Sequence, residues 1–227
     1  MNQPPDRRTP LEDQPKSRRW KQNPEAVRAD ILRVAQEEFA RNGLSRTRIE
    51  DIADRTKTSK RMVFYYFGDK ESLYKAVLEA AYAEVRAGEA ELDLEDLPPD
   101  QALRRLVEFT FDHHRANPDF IRLVMVENIH GGSHMSQMEQ LAQQNLAAIR
   151  VLERICEAGR EAGLFREDIS ALALHWRISA MSFFNVSNRA TFALNFGDSL
   201  FDEKGQALLR EEAARSILLS VLKDPTG

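Results

Sequence analysis

The chain has 227 residues, of which 42% are hydrophobic and 30% charged, with a net charge of −4; this describes a globular protein and excludes a chain disordered throughout. One cysteine, Cys156, excludes an internal disulfide framework and fits a reducing, cytoplasmic setting. No apolar run approaches the roughly 18 residues of a membrane span, and no apolar signal core opens the chain, so neither insertion nor export is expected.

The charge is unevenly placed. Residues 1–70 carry 16 Lys and Arg against 11 Asp and Glu, whereas residues 71–227 carry 16 against 25. A basic front and an acidic back imply that only the front meets phosphate.

Residues 1–22 contain Pro4, Pro5, Pro10 and Pro15 and few apolar side chains, which reads as a disordered arm. Arg7, Arg8, Lys16, Arg18, Arg19 and Lys21 make it basic. A solubilising tail is favoured slightly over an arm that tracks phosphates. Asn23 and Pro24 then form a helix start, and Val27, Ile31, Val34, Ala35 and Phe39 form a helical stripe that Gly43 ends. Thr47 and Glu50 have the spacing of a capping box for a short second helix with Ile49, Ile52 and Ala53 inward. Thr56, Lys57 and Thr58 form a turn, Ser59 caps a third helix that stops near Gly68, and Asp69 caps a long fourth helix.

The remainder also reads as helical. Starts fall at Pro98-Pro99, Asn117-Pro118, about His134 and Asp168, and a last helix carries Leu208, Ala213, Ile217 and Val221. Loops are expected at Gly131-Gly132 and around Asn195-Phe196-Gly197. No alternating strand pattern competes, so the fold class is all-α.

Two short helices joined by a tight polar turn, the second with positive charge and aromatics on its outer face, suit a DNA major groove. Phe64, Tyr65, Tyr66 and Phe67 run consecutively, and four aromatics in a row on one helix cannot all face inward. Lys60, Arg61, Met62, Phe64 and Tyr65 are therefore candidates for base edges or phosphates.

Thr47, Ile52-Ala53, Ser59-Lys60, Tyr65-Tyr66-Phe67 and Lys70-Glu71 with Leu73 occur in the order and spacing of a known family. Over roughly residues 23–81 the chain resembles the N-terminal helix-turn-helix of the TetR/AcrR family of transcriptional regulators. The resemblance implies a three-helix DNA-binding head over 23–81 and a larger helical domain over 82–227 that binds a ligand and forms a homodimer. It also implies phosphate contacts from Thr47, Arg48 and Lys70, and a recognition helix with its lead-in at Thr58, Ser59, Lys60, Arg61, Met62, Phe64 and Tyr65. Arg61 stands where the family often has glycine and Phe64 where tyrosine is common, so the operator cannot be carried over from a relative.

For the C-terminal region, His113, His114, Arg122, Met125, Asn128, Met138, Trp176, Phe183 and Phe184 are the candidate lining of a pocket for a small organic effector. For each residue alone, an ordinary core role is the stronger reading. Arg122, His113 or His114 as anchors beside aromatic walls suggest an aromatic or acyl acid. The last two helices, about 168–188 and 203–222, are the expected dimer surface, and two-fold symmetry matches a palindromic operator. No cofactor is expected. Glu127-x-x-His130 resembles half of a di-iron motif, but the second pair and the extra glutamates are missing, which leaves a helical-bundle metal enzyme as a remote alternative. An activator, or a regulator without a ligand, would share the same head.

Overall fold

The computed structural model describes residues 23–223. The basic arm read over residues 1–22 lies outside them. Ten α-helices and two short 3-10 turns make up the regular structure of the described residues, and the one β-type pairing among them is an isolated antiparallel bridge between Phe165 and Leu222.

The first four helices are α1 (Pro24–Arg46), α2 (Ile49–Arg55), α3 (Lys60–Phe67) and α4 (Lys70–Ala90). Their starts follow the polar residues before them. The Asn23, Ser59 and Asp69 side chains accept hydrogen bonds from the backbone N–H groups of Ala26, Met62 and Ser72 at 3.1, 3.2 and 2.7 Å. Gly43, at φ 69°, breaks the helical geometry inside α1 before its last residues.

The capping box at Thr47 is not formed. Arg48 occupies the N-cap of α2 without a side-chain bond. The Thr47 hydroxyl is buried and donates backward to the carbonyls of Glu38 (3.1 Å) and Gly43 (2.8 Å). The free carbonyls at the end of α1 outcompete the start of α2 for this hydroxyl.

The first core joins Val34, Phe39, Ile52, Val63, Phe67 and Leu73. It is completed from outside the head by Leu123, Met138 and Leu141. Arg55 braces the junction of α1 and α2 through ion pairs with Glu37 and Glu38.

The later helices are α5 (Pro99–Ala116), α6 (Pro118–Ile129), α7 (Glu139–Glu161), α8 (Ala171–Ser187), α9 (Arg189–Phe196) and α10 (Glu203–Leu219). α5 is the central rod, packed on α6, α7, α8 and α10. Leu103, Val107, Leu152, Leu174, Ile178 and Ile217 fill the second core. A smaller third core of Ala81, Val85, Phe120 and Ile121 joins α4 to α6. α4 thus belongs to the head at one end and to the C-terminal bundle at the other, and α6 packs against α1.

Two expectations are corrected. The helix expected from His134 begins at Glu139, after a 3-10 turn at Met135–Gln137. The segment before Gly197 is helix α9, which ends at Phe196; only Gly197, at φ 84°, leaves it. Its Phe192 and Phe196 stand four residues apart with ring centroids at 4.9 Å, a helical spacing that the Asn195-Phe196-Gly197 turn pattern masks in the sequence.

Candidate nucleic-acid interface and ligand cavity

α3 meets the head core through Val63 and Phe67, both buried. This turns Lys60, Arg61 and Tyr65 outward, with Tyr65 78% exposed. Met62 is exposed beside them and Arg48 is exposed at the start of α2. Ser59 and the half-buried Thr58 form the entry to α3. Phe64 is only half-buried, packs on the core and lies under the Lys60 ammonium, 5.7 Å from its ring centroid. It offers an edge to the surface rather than a free ring. Lys60 is paired with Glu50 of α2, a partner that the sequence reading did not assign.

Lys70 does not stand free at the start of α4. Its Nζ donates to the carbonyls of Ser45 (3.3 Å) and Thr47 (3.2 Å), so it fastens α4 to the end of α1. The Thr47 hydroxyl, being buried, is turned away from any surface phosphate, which corrects the side-chain contact expected of it. Exposed Arg46 and Lys57 extend the basic surface; Lys57 holds φ 53° in the turn between α2 and α3. Neither stood out in sequence, because their direction depends on the turn and on the break at Gly43.

The expected ligand set is divided by the structure. His114, Asn128, Trp176 and Phe183 line one cavity of about 560 Å³ between α4, α5, α6, α7 and α8. Arg122 and Met125 face a separate cleft beside α9. Phe184 faces an apolar cleft on the other side of α8, with Phe192 and Leu209. Met138 is buried in the first core, against the head. His113 lies against Phe109 and Phe120 and does not line the cavity. The reason is helical phase: His113 and His114 are consecutive, so α5 points them in different directions.

The cavity also contains residues that sequence reasoning missed, notably Tyr82, Arg86, Glu89, Thr110 and His175. Arg86 and Glu89 fall four and seven residues after Tyr82, so a helical projection of α4 carried past residue 81 would have found them. Arg86 Nη1 lies 2.6 Å from Glu89 Oε2. Burial pushes the Glu89 carboxyl up and the Arg86 guanidinium down. Burial also lowers the imidazoles of His113 and His175, and it takes His114 to about 4. The three histidines are therefore neutral at ordinary pH.

Glu127 is 2% exposed and accepts from the Tyr74 hydroxyl (3.0 Å), pairs with His134 Nδ1 (2.9 Å), and accepts from the backbone N–H groups of His134 and Met135 (3.2 and 3.3 Å). Its carboxylate thus serves Tyr74 and His134, while His130 is exposed at the end of α6. No group of three His, Cys, Asp or Glu side chains suited to a metal occurs among the described residues. Nor is any described helix long and apolar enough to cross a membrane.

Comparison with known proteins agrees with both halves of the chain. Residues 31–77 match the model of the bacterial regulatory proteins, tetR family, and residues 99–217 match that of the tetracyclin repressor-like C-terminal domain. The chain is 37% identical to the HTH-type transcriptional repressor NicS of Pseudomonas putida over 82% of this chain and 88% of that one. It is 28% identical to the HTH-type transcriptional repressor SCO4008 of Streptomyces coelicolor over 70% of this chain and 78% of that one. Among solved structures, a TetR family transcription regulator from Marinobacter aquaeolei matches the fold with a TM-score of 0.68 at 20% identity, over 90% of this chain and all of that one.

Proposed function

This chain belongs to the TetR family of bacterial transcriptional regulators, and on that premise we propose that it is a repressor that holds a palindromic operator as a homodimer and releases it when a small organic molecule fills the cavity behind α4. As a family member it is a regulator and not an enzyme.

The observation that carries this reading is the position of α4. Lys70, at its start, holds the end of α1 in the head, and Arg86, toward its far end, lines the cavity. A ligand that displaces the Arg86 end moves the rod on which the recognition helix rests. In the proposed complex, Arg61, Met62 and Tyr65 enter the major groove, with an edge of Phe64 beside them, and Lys60 reaches a phosphate at its rim. Arg48, Thr58, Ser59 and a backbone N–H near Thr47 hold phosphates, and Lys70 sets the angle of the head.

The dimer is proposed through α8, α9 and α10. On α8, Leu172, Trp176 and Phe184 are 66%, 70% and 51% exposed, and Leu194, Phe196 and Leu208 add exposures of 87%, 73% and 53%. A run of this kind on a water-facing surface marks an interface.

The test is selection of bound sequences from random duplex DNA, with light scattering on the complex. A palindrome bound by two chains is the expected result, with half-sites about 10 base pairs apart or a multiple of that. Enrichment of single, unpaired sites bound by one chain would sink the dimeric part of the reading. Phe184→Asp should yield a folded monomer that has lost most of its operator affinity.

A further inference from the structure

The cavity behind α4 contains buried hydrogen-bonding atoms with nothing to bond. Arg86 Nε and His114 Nδ1 are both buried and have no partner, and both residues line the cavity. A buried N–H left unpaired is costly, and its complement is an acceptor carried by a ligand.

The arginine indicates which acceptor. Glu89 takes one side of the guanidinium through Nη1. A guanidinium has five N–H donors in a planar fork and can serve a carboxylate on each of two edges. The Nε edge is the free one. Arg86 holds Glu89 Oε2, so the Glu89 charge is already balanced within the cavity wall. The walls are apolar and aromatic: Tyr82 and Phe120 meet edge to face at 5.1 Å, and Trp176 and Phe183 line the cavity with them. About 560 Å³ accommodates a molecule of roughly one ring or a medium acyl chain.

We propose that the cavity takes a monoanionic aromatic or acyl carboxylate whose carboxylate sits on the Nε edge of Arg86. The proposal rests on the effector reading above, and it moves the anchor from Arg122 to Arg86.

The experiment is calorimetry on the full chain with matched probes: benzoate against benzamide, octanoate against octanamide, and benzylamine as the cation. At least one acid should bind about tenfold tighter than its amide, the range expected of one charge-assisted hydrogen-bonded pair. Arg86→Met should abolish that preference and Arg86→Lys should restore part of it. Glu89→Gln, which leaves the guanidinium in place, should tighten the acid severalfold. In a Trp20→Phe background, the acid should change the emission of Trp176.

Equal binding of amide and acid, a preference that survives Arg86→Met, or no acid binding at millimolar concentration overturns the proposal. Its failure is separable from that of the effector reading. If benzylamine binds and releases operator, the carboxylate is wrong and the effector reading stands. If an acid binds through Arg86 and operator stays bound, the carboxylate site stands and the release mechanism fails.

Discussion

The Tyr74 hydroxyl donates to Glu127 Oε1 across 3.0 Å, from the second turn of α4 to the end of α6. Tyr74 is fully buried and its ring packs edge to face on Phe39 of α1 and on His134, each with centroids 5.1 Å apart. Burial pushes the Tyr74 hydroxyl up, so it stays a donor. Burial also drives the Glu127 carboxyl up, but the bonds from His134, Tyr74 and the Met135 N–H outweigh it and hold the group below its ordinary value. On the same helix, Val124 and Asn128 line the cavity. One turn of α6 therefore touches both the ligand space and the side chain that enters the head core.

Tyr74→Phe tests whether this contact transmits the signal. Removing one of four donors to a buried carboxylate should cost about 1–3 kcal/mol of stability. The specific expectation is that the variant still binds operator and effector but releases operator less completely at saturating effector. Equilibrium titrations of each ligand in the presence of the other give the coupling. Coupling equal to wild type would place transmission elsewhere.

Lys60 and Glu50 provide a second test. The pair is exposed at 51% and 56% of its side chains, so it adds little stability. DNA must compete with Glu50 for the lysine. Lys60→Ala should weaken binding to all duplexes and reduce the slope of log K against log salt by about 1. Glu50→Gln should act in the opposite direction and raise affinity without changing base preference. Arg61→Ala should alter which bases are selected. If Lys60→Ala leaves the salt slope intact, Lys60 makes no phosphate contact.

Thr47 has become a stability residue with a clear control. Its buried hydroxyl donates to two carbonyls at the break in α1. Thr47→Val keeps the shape and the Thr47 N–H bond to the Gly43 carbonyl but removes the hydroxyl's bonds, at a cost of about 0.5–1.5 kcal/mol. Thr47→Ser keeps the bond and should cost much less. Urea midpoints for the two variants decide it, and equal losses would show that the methyl group matters more than the hydroxyl.

The head was largely legible in the sequence because its information is local. Ser59 and Asp69 are followed by the helices they cap, and Val63 and Phe67 are four residues apart on one face. Thr47 was misread for the same reason: a local pattern pointed forward, while a free carbonyl nine residues back won the hydroxyl. The cavity was partly legible. His114, Asn128, Trp176 and Phe183 were found by residue type, but Arg86 and Glu89 lie on a helix that the sequence reading assigned to the head only as far as Ala81. Arg122, exposed on α6 and paired with Asp119, falls at a different cleft, because its local pattern is the same as that of an arginine facing the cavity. Only the packing of five helices separates them.

His114 gives a pH dependence of definite sign. Burial pushes its imidazole from 6.5 down to about 4, so it remains neutral in the folded protein. Between those values the unfolded chain binds a proton that the folded chain refuses. Stability is therefore highest above about pH 6.5 and falls as pH drops toward 4, by up to about 3 kcal/mol from this group. His113 and His175 are lowered in the same direction and steepen the same limb. His114→Gln cannot take up the proton in either state, so its urea midpoint should fall less than that of wild type between pH 7 and pH 5. A carboxylate on Arg86 would place negative charge near His114 and make its protonation easier. The same acid limb should then be shallower with saturating effector present than without it, and an unchanged limb in both comparisons would mean that His114 already meets solvent.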